Sequence, residues 1–140
     1  MFQKMLQGGS GSGSGNVKDI KWILKDGELE SGYSLKQMTN NITQITKENG
    51  YYKIGLHPYG SGAGIDIINS GYKYVFVDVL NQLEGSDCFF NVTGYYKENI
   101  TIAPKRRILI GYDISNLNNI TPNVSGGSTT VYLYNLWLEK

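Results

Sequence analysis

The chain contains few of the residues on which most enzymes and metalloproteins depend. Its 140 residues include one cysteine, Cys88, and one histidine, His57. A single cysteine forms no internal disulfide, and this pair falls short of a structural zinc site. A G-x-S-x-G nucleophile motif and the glycine motifs of phosphate and dinucleotide sites are also missing. We therefore expect a protein that is not an enzyme.

Strong charge of one sign and long apolar runs are also lacking. Lys and Arg number 13 against 12 for Asp and Glu, so the net charge of +1 favours neither nucleic acid nor an anionic membrane as a partner. The apolar runs are short, below the roughly 18 to 20 residues that cross a bilayer. The N-terminal MFQKMLQ is followed by glycines instead of the apolar core of a signal peptide. We expect no membrane insertion and no nucleic-acid binding.

The first fifteen residues differ from the rest in composition. Gly8–Gly15 reads GGSGSGSG, a flexible pattern that we interpret as an engineered linker. It tethers Met1–Gln7, in which Phe2, Met5 and Leu6 would share one helical face. That segment is either a peptide that docks on the domain or its neighbour, or an expression leader. Residues 16–140 form one domain.

From Asn16 onward the pattern indicates strands. Tyr, Ile, Val and Phe are abundant, Asn and Gly recur about every ten residues, and no long helical period is present. We predict an all-β, two-sheet antiparallel β-sandwich (jelly roll). A hairpin is expected over Ile20–Lys25 and Glu28–Leu35, with Asp26-Gly27 as its turn. The further strands are Ile42–Thr46, Tyr51–Leu56, Ile65–Asn69, Tyr72–Leu80, Cys88–Lys97, Arg106–Ile114 and Thr130–Glu139.

Between these strands we expect turns and loops. Ser34–Asn41 would hold a helical turn at most, and Gly60–Gly64 is predicted to be a flexible loop. Leu83–Asp87 carries two carboxylates that would supply part of a calcium shell, but a solvated turn is favoured and no cofactor is expected. Five Asn-x-Ser/Thr triplets, at Asn41, Asn91, Asn99, Asn119 and Asn123, are interpreted mainly as a consequence of the asparagine-rich composition.

Alternation along the strands separates a core face from an outward face. The predicted core stripes are Val75, Val77 and Val79; Cys88, Phe90 and Val92; Tyr52, Ile54 and Leu56; and Ile108, Ile110, Tyr112 and Ile114. The outward positions mix aromatic rings with planar polar groups, as a sugar site needs. The predicted ligand-binding residues are Tyr51, Tyr59, Tyr74, Asp78, Phe89, Asn91, Tyr95, Arg107 and Asp113. A protein interface would use the same mixture, and a covering sheet or loop is the third alternative.

The last strand is apolar on both faces. In strict alternation Tyr132, Tyr134, Leu136 and Leu138 share one face, while Val131, Leu133 and Trp137 flank Asn135 on the other. Such a strand is either covered on both sides or buried in a subunit contact. A homo-oligomer is therefore predicted.

The segments Arg107–Ile114 and Val131–Leu138, separated by a turn-rich stretch, resemble the closing strands of jelly-roll carbohydrate-binding modules. Similar domains occur in phage tail-fibre and other receptor-binding proteins. The resemblance implies a non-catalytic, lectin-like module that stacks a cell-surface or polymeric glycan on exposed Tyr and Phe rings. It implies an extracellular or virion-surface location and, on a virion, a trimer. The alternative is a structural virion or assembly protein whose aromatic face is a subunit interface, and a hydrolase comes third.

Overall fold

The computed structural model describes residues 19–38, 43–57, 62–82, 86–93 and 99–140. Within these ranges the chain forms thirteen strands. They are β1 Ile20–Lys25, β2 Glu28–Leu29, β3 Leu35–Gln37, β4 Gln44–Lys47, β5 Tyr52–Leu56, β6 Gly62–Ile65, β7 Ile67–Ile68, β8 Tyr74–Asn81, β9 Cys88–Thr93, β10 Ile100–Ile102, β11 Arg106–Asp113, β12 Asn119–Ser125 and β13 Thr129–Glu139. No helix in these ranges is long and apolar enough to span a membrane.

The strands build two antiparallel sheets, which confirms the predicted β-sandwich. The seven-stranded sheet has the order β11-β8-β13-β1-β2, and β5 also pairs with β13 and carries β4. The six-stranded sheet has the order β10-β9-β12-β6-β3, with β7 paired to β12. The central strand β13 contacts β8 along one edge, while β5 and β1 share its other edge.

The predicted turn at Asp26-Gly27 is confirmed. Both residues have positive φ, 50° and 78°, as a tight hairpin turn requires. The prediction that the second strand continues to Leu35 is wrong, because β2 ends at Leu29 and the chain then crosses to the other sheet. Within Ser34–Asn41, where at most a helical turn was expected, Leu35–Gln37 instead forms a short strand, β3, that pairs with β6.

Several strands lie where turn-forming residues suggested loops. Gly62–Ile65 is a buried strand, although Gly60–Gly64 was predicted to be a flexible loop. A Cβ atom on Gly64 would lie 2.8 Å from the Cβ of Asn123 and from the carbonyl of Pro122, so glycine permits close packing on β12. The strand β12 was not predicted, because it contains Pro and Asn. The predicted strand Ile65–Asn69 is divided between β6 and β7.

A β-bulge in β13 overturns the predicted faces of the last strand. The register with β8 moves from Leu133↔Val79 to Asn135↔Asp78, so Tyr134 is the extra residue. An extra residue shifts the alternation by one position beyond it. Consequently Val131, Leu133, Leu136 and Leu138 all face the core, and Tyr132 and Trp137 face outward.

One hydrophobic core lies between the sheets. The stripes Val75–Val79 and Cys88–Val92 point into it as predicted, and their inward residues are fully buried. The rings of Phe90 and Tyr112 meet edge to face at 6.0 Å and so join the two sheets. The inner face of the seven-stranded sheet therefore packs against this core, and its outer face is held in a fixed position.

Candidate functional site

The outer surface of the seven-stranded sheet carries most of the aromatic contacts in the described residues. Register places Tyr132, Asn135 and Trp137 of β13 beside Leu80, Asp78 and Phe76 of β8. On the far edge of β13, Trp22 of β1 pairs with Trp137, and Lys53 of β5 pairs with Tyr132. We call this surface the aromatic face; its rings are Trp22, Tyr51, Tyr74, Phe76, Tyr132, Tyr134 and Trp137.

Tryptophan and phenylalanine rings form one cluster of the aromatic face. The ring of Trp137 lies 5.0 Å from that of Trp22 and stacks on Phe76 at 5.5 Å. Its indole N–H donates to Glu139 Oε2 at 3.0 Å, which fixes the ring in place. Phe76 and Trp137 are only 1% and 5% exposed, whereas Trp22 is half-buried. Trp22 is therefore the ring of this cluster that a ligand can reach.

Three tyrosines form the second cluster. Tyr51 stacks on Tyr132 with ring centroids 4.4 Å apart and lies 5.6 Å from Tyr134. Desolvation raises the pKa of the Tyr51 hydroxyl, and the neighbouring Tyr132 raises it further. Desolvation likewise raises the pKa of Tyr134. At neutral pH both hydroxyls are protonated and can donate hydrogen bonds.

A polar network separates the two clusters. Arg107 donates from Nε and Nη2 to the two carboxylate oxygens of Asp78, at 3.0 and 2.9 Å. Its guanidinium group lies 3.7 Å from the centre of the Tyr134 ring. The hydrogen bonds that Arg107 donates to Asp78 raise the pKa of the guanidinium group, so Arg107 stays charged. Because the Arg107 side chain is 53% exposed, water screens the pair, which contributes less than about 1 kcal/mol to stability. Its effect is to hold planar polar groups in fixed orientations.

An open cleft of about 500 Å³ lies over this network. Its lining residues are Trp22, Lys25, Asp26, Asp78, Arg107, Ile108, Leu109, Asn135 and Trp137. Two cations and two carboxylates line it, so the formal charge of the cleft is zero. The Lys25 ammonium lies 5.0 Å from the centre of the Trp22 ring. The cleft thus offers aromatic surface and hydrogen-bonding groups without net charge.

The predicted ligand-binding residues fall on two different surfaces. Tyr51, Tyr74, Asp78 and Arg107 share the outer surface of the seven-stranded sheet, and Asp113 lies at its edge beside Tyr74. Asp113 accepts from the backbone N–H of Ser115 at 2.8 Å. Phe89 and Asn91 lie instead on the outer surface of the six-stranded sheet, so the structure separates them from the others. Tyr59 and Tyr95 lie outside the described residues, as do Met1–Gln7 and Gly8–Gly15.

The predicted set lacked six residues of the aromatic face, which are Trp22, Phe76, Tyr132, Tyr134, Asn135 and Trp137. The bulge concealed the orientation of the last four, because strict alternation puts Tyr132 and Trp137 on opposite faces. In β1 the register also shifts between Trp22 and Leu24, and Ile23 and Leu24 are both buried, so regular alternation gave no signal that Trp22 faces outward.

The structure shows no metal-binding cluster in the ranges it describes. No group of three or more His, Cys, Asp or Glu side chains there could hold an ion. The loop considered for calcium falls partly outside these ranges, at residues 83–85.

Comparison with known proteins identifies the class of fold. No protein-family model and no curated protein matches the chain. Family 29 carbohydrate-binding modules are among the solved structures that match. One of them is 17% identical, with a TM-score of 0.63 and coverage of 88% of this chain and 89% of the module.

Variants of such modules in complex with oligosaccharides also match. A complex with mannohexaose is 17% identical, with a TM-score of 0.61 and coverage of 88% and 92% of the two chains. A complex with cellulohexaose is 17% identical, with a TM-score of 0.61 and coverage of 87% and 91%. The chain therefore has the fold of a carbohydrate-binding module.

Proposed function

We propose that the chain is a non-catalytic module that binds neutral polysaccharide on its aromatic face. The observation that carries the proposal is that two aromatic clusters flank the Arg107–Asp78 pair, which lines an open cleft together with Trp22 and Trp137. A sugar ring presents an apolar C–H surface that packs on an aromatic ring, and its hydroxyls pair with carboxylate, amide and guanidinium groups.

The charge of the cleft supports a neutral ligand. Lys25 and Arg107 are balanced by Asp26 and Asp78, so a uronate or sulfate group would meet no excess of positive charge. The modules with the same fold were complexed with mannohexaose and cellulohexaose, which are neutral oligosaccharides. We therefore place neutral hexose polymers first among the ligands.

The test compares two aromatic residues on opposite sheets. Trp22→Ala removes the accessible ring of the cluster formed by Trp22, Phe76 and Trp137, while Phe89→Ala removes a ring from the outer surface of the six-stranded sheet. Retention on gels containing soluble glucomannan, mannan or hydroxyethylcellulose is expected for the wild type and for Phe89→Ala, and is expected to fall at least tenfold for Trp22→Ala. Binding lost in Phe89→Ala but kept in Trp22→Ala would move the site to the other sheet.

In the alternative function, the aromatic face contacts another protein subunit instead of a glycan. The half-buried Tyr51, Tyr132 and Tyr134 have the composition of a protein interface as well as of a sugar site. Light scattering on the same variants separates the two functions. A discrete oligomer that retains no glycan and dissociates in Trp22→Ala supports the structural virion or assembly protein. The extracellular or virion-surface location and the homo-oligomer remain proposals.

A further inference from the structure

The bulge in β13 brings two consecutive side chains to the aromatic face. Tyr134 contacts the guanidinium group of Arg107, and Asn135 reaches Asp78 on the neighbouring strand. In regular alternation these two side chains would point to opposite faces of the sheet. The bulge therefore places an amide group between the tyrosine cluster and the tryptophan cluster.

Both ends of the Asn135 amide are hydrogen-bonded. Its Oδ1 accepts from the backbone N–H of Asp26 at 2.8 Å, and its Nδ2 donates to Asp78 Oδ2 at 2.9 Å. The backbone N–H of Gly27 donates to the Tyr134 carbonyl at 3.0 Å, so the β1–β2 turn is fixed to the bulge at two points. Among side chains of this length, the asparagine amide can both donate and accept these hydrogen bonds, whereas an ionised aspartate can only accept.

The bonds form one continuous path across the sheet. It leads from the turn at Asp26 through Asn135 to Asp78, and from Asp78 to Arg107, whose guanidinium group covers the Tyr134 ring. Asp78 Oδ2 receives hydrogen bonds from both Asn135 and Arg107. The orientation of the Asp78 carboxylate, and with it that of Arg107, therefore depends on Asn135.

We propose that Asn135 is a positioning residue of the glycan site: it holds Asp78, and through Asp78 holds Arg107, in the orientation that binds sugar. This inference rests on the proposed function. It assigns Asn135 an effect on affinity that acts through Asp78, and it predicts that the effect requires the donor group of the amide.

Asn135→Asp is the sharpest test. It keeps the size of the side chain and the acceptor for the Asp26 amide, but it puts a second carboxylate next to that of Asp78. The other charged groups lining the cleft are Arg107 from β11 and Lys25 and Asp26 from the β1–β2 turn. At pH 7.5 we expect binding to glucomannan about tenfold weaker than for the wild type, since a hydrogen bond is replaced by repulsion. At pH 4.5 the two carboxylates can share a proton, which restores the hydrogen bond, and the loss should shrink to less than about threefold.

The controls separate positioning from general damage. Asn119→Asp introduces the same charge at an exposed position of β12, and its affinity should equal that of the wild type at both pH values. A loss in Asn135→Asp that is the same at both pH values, or an equal loss in Asn119→Asp, would overturn the proposal. Should Asn135→Asp not fold at pH 7.5, Asn135→Leu removes donor and acceptor together, and its loss of affinity should not depend on pH.

An NMR measurement without ligand tests the positioning role of Asn135 separately from the proposed glycan binding. In the wild type the Arg107 Nε–H is held by Asp78 at 3.0 Å, so its NMR signal should be resolved and should shift or broaden in Asn135→Asp at pH 7.5. An unchanged signal contradicts the positioning role even if the wild type binds glycan. Failure of the wild type to bind any polysaccharide instead removes the proposed function, while the NMR result still decides whether Asn135 orients Arg107.

Discussion

Cys88 shows how strongly a residue's environment can change its chemistry. The side chain lies in the core between the sheets, and burial raises the pKa of the thiol to about 12. Its place in the predicted core stripe with Phe90 and Val92 indicated a buried side chain, and the structure confirms this. The thiol is therefore protonated, and unreactive, throughout the physiological pH range.

Two measurements follow for Cys88. In native protein the thiol should not react with an aromatic disulfide reagent, and in denaturant it should react completely. The unfolded thiol loses its proton near pH 9 and the native one near pH 12, so this residue's contribution to stability is complete below pH 9 and declines as pH rises above it. Unfolding free energies of the wild type and Cys88→Ala, compared from pH 8 to pH 10.5, should converge as pH rises. Parallel curves, or rapid reaction in native protein, would contradict the burial of Cys88.

At the level of elements, the β1–β2 turn connects the two aromatic clusters. A Cβ atom on Gly27 would lie 2.3 Å from the backbone nitrogen of Tyr51, so this turn packs directly against the start of the tyrosine cluster. Gly32 also has positive φ, +93°, but a Cβ there would meet nothing within 4 Å. The two glycines are a matched pair that differs in available space.

Alanine substitutions at Gly32 and Gly27 should lower the unfolding free energy by different amounts. Gly32→Ala should lower the unfolding free energy by about 1 kcal/mol, the strain of placing alanine in the left-handed region. Gly27→Ala adds a backbone collision to the same strain, and we expect a loss of at least about 2 kcal/mol together with weaker glycan binding. Urea denaturation of both variants measures the difference. Equal losses would mean that the turn does not pack on Tyr51 as described.

The bulge in β13 explains why the position of this strand could be predicted from the sequence but the sheet face to which each of its side chains points could not. The alternation of apolar residues in β8 and β9 is regular, so their inward residues could be assigned from sequence. In β13 the pattern changes phase at Tyr134. The residues from Val131 to Leu138 are all apolar or aromatic except Asn135, so the sequence carries no sign of the change. The strands β6 and β12 were missed because glycine and proline usually mark turns. Here Gly64 permits close packing on β12, and Pro122 lies within a paired strand.

For the whole molecule, the sequence indicates which side chains point outward but not which sheet carries them. Tyr74 and Phe89 both lie on the outward side of a predicted strand, yet β8 and β9 belong to different sheets. The sheet to which a strand belongs is determined by pairing between strands that are distant in sequence. For example, β13 pairs with β8 on one edge and with β1 on the other. Residue types thus suggested the class of ligand that we propose, while grouping the residues of the candidate site required the topology.

The size of the aromatic face leads to a prediction about ligand length. Along β13, Tyr132 and Trp137 are five residues apart and one of these is extra in the bulge, so the two clusters lie about 13 Å apart. A monosaccharide can occupy only one cluster, whereas a longer linear chain can contact both and the Arg107–Asp78 pair between them. Calorimetric titration with cello- and manno-oligosaccharides should therefore show affinity rising with length until both clusters are covered. In Trp22→Ala the rise should stop at shorter chains, because only the tyrosine cluster remains. If a monosaccharide competes as well as a hexasaccharide, the clusters do not act on one chain, and the aromatic face binds a single sugar.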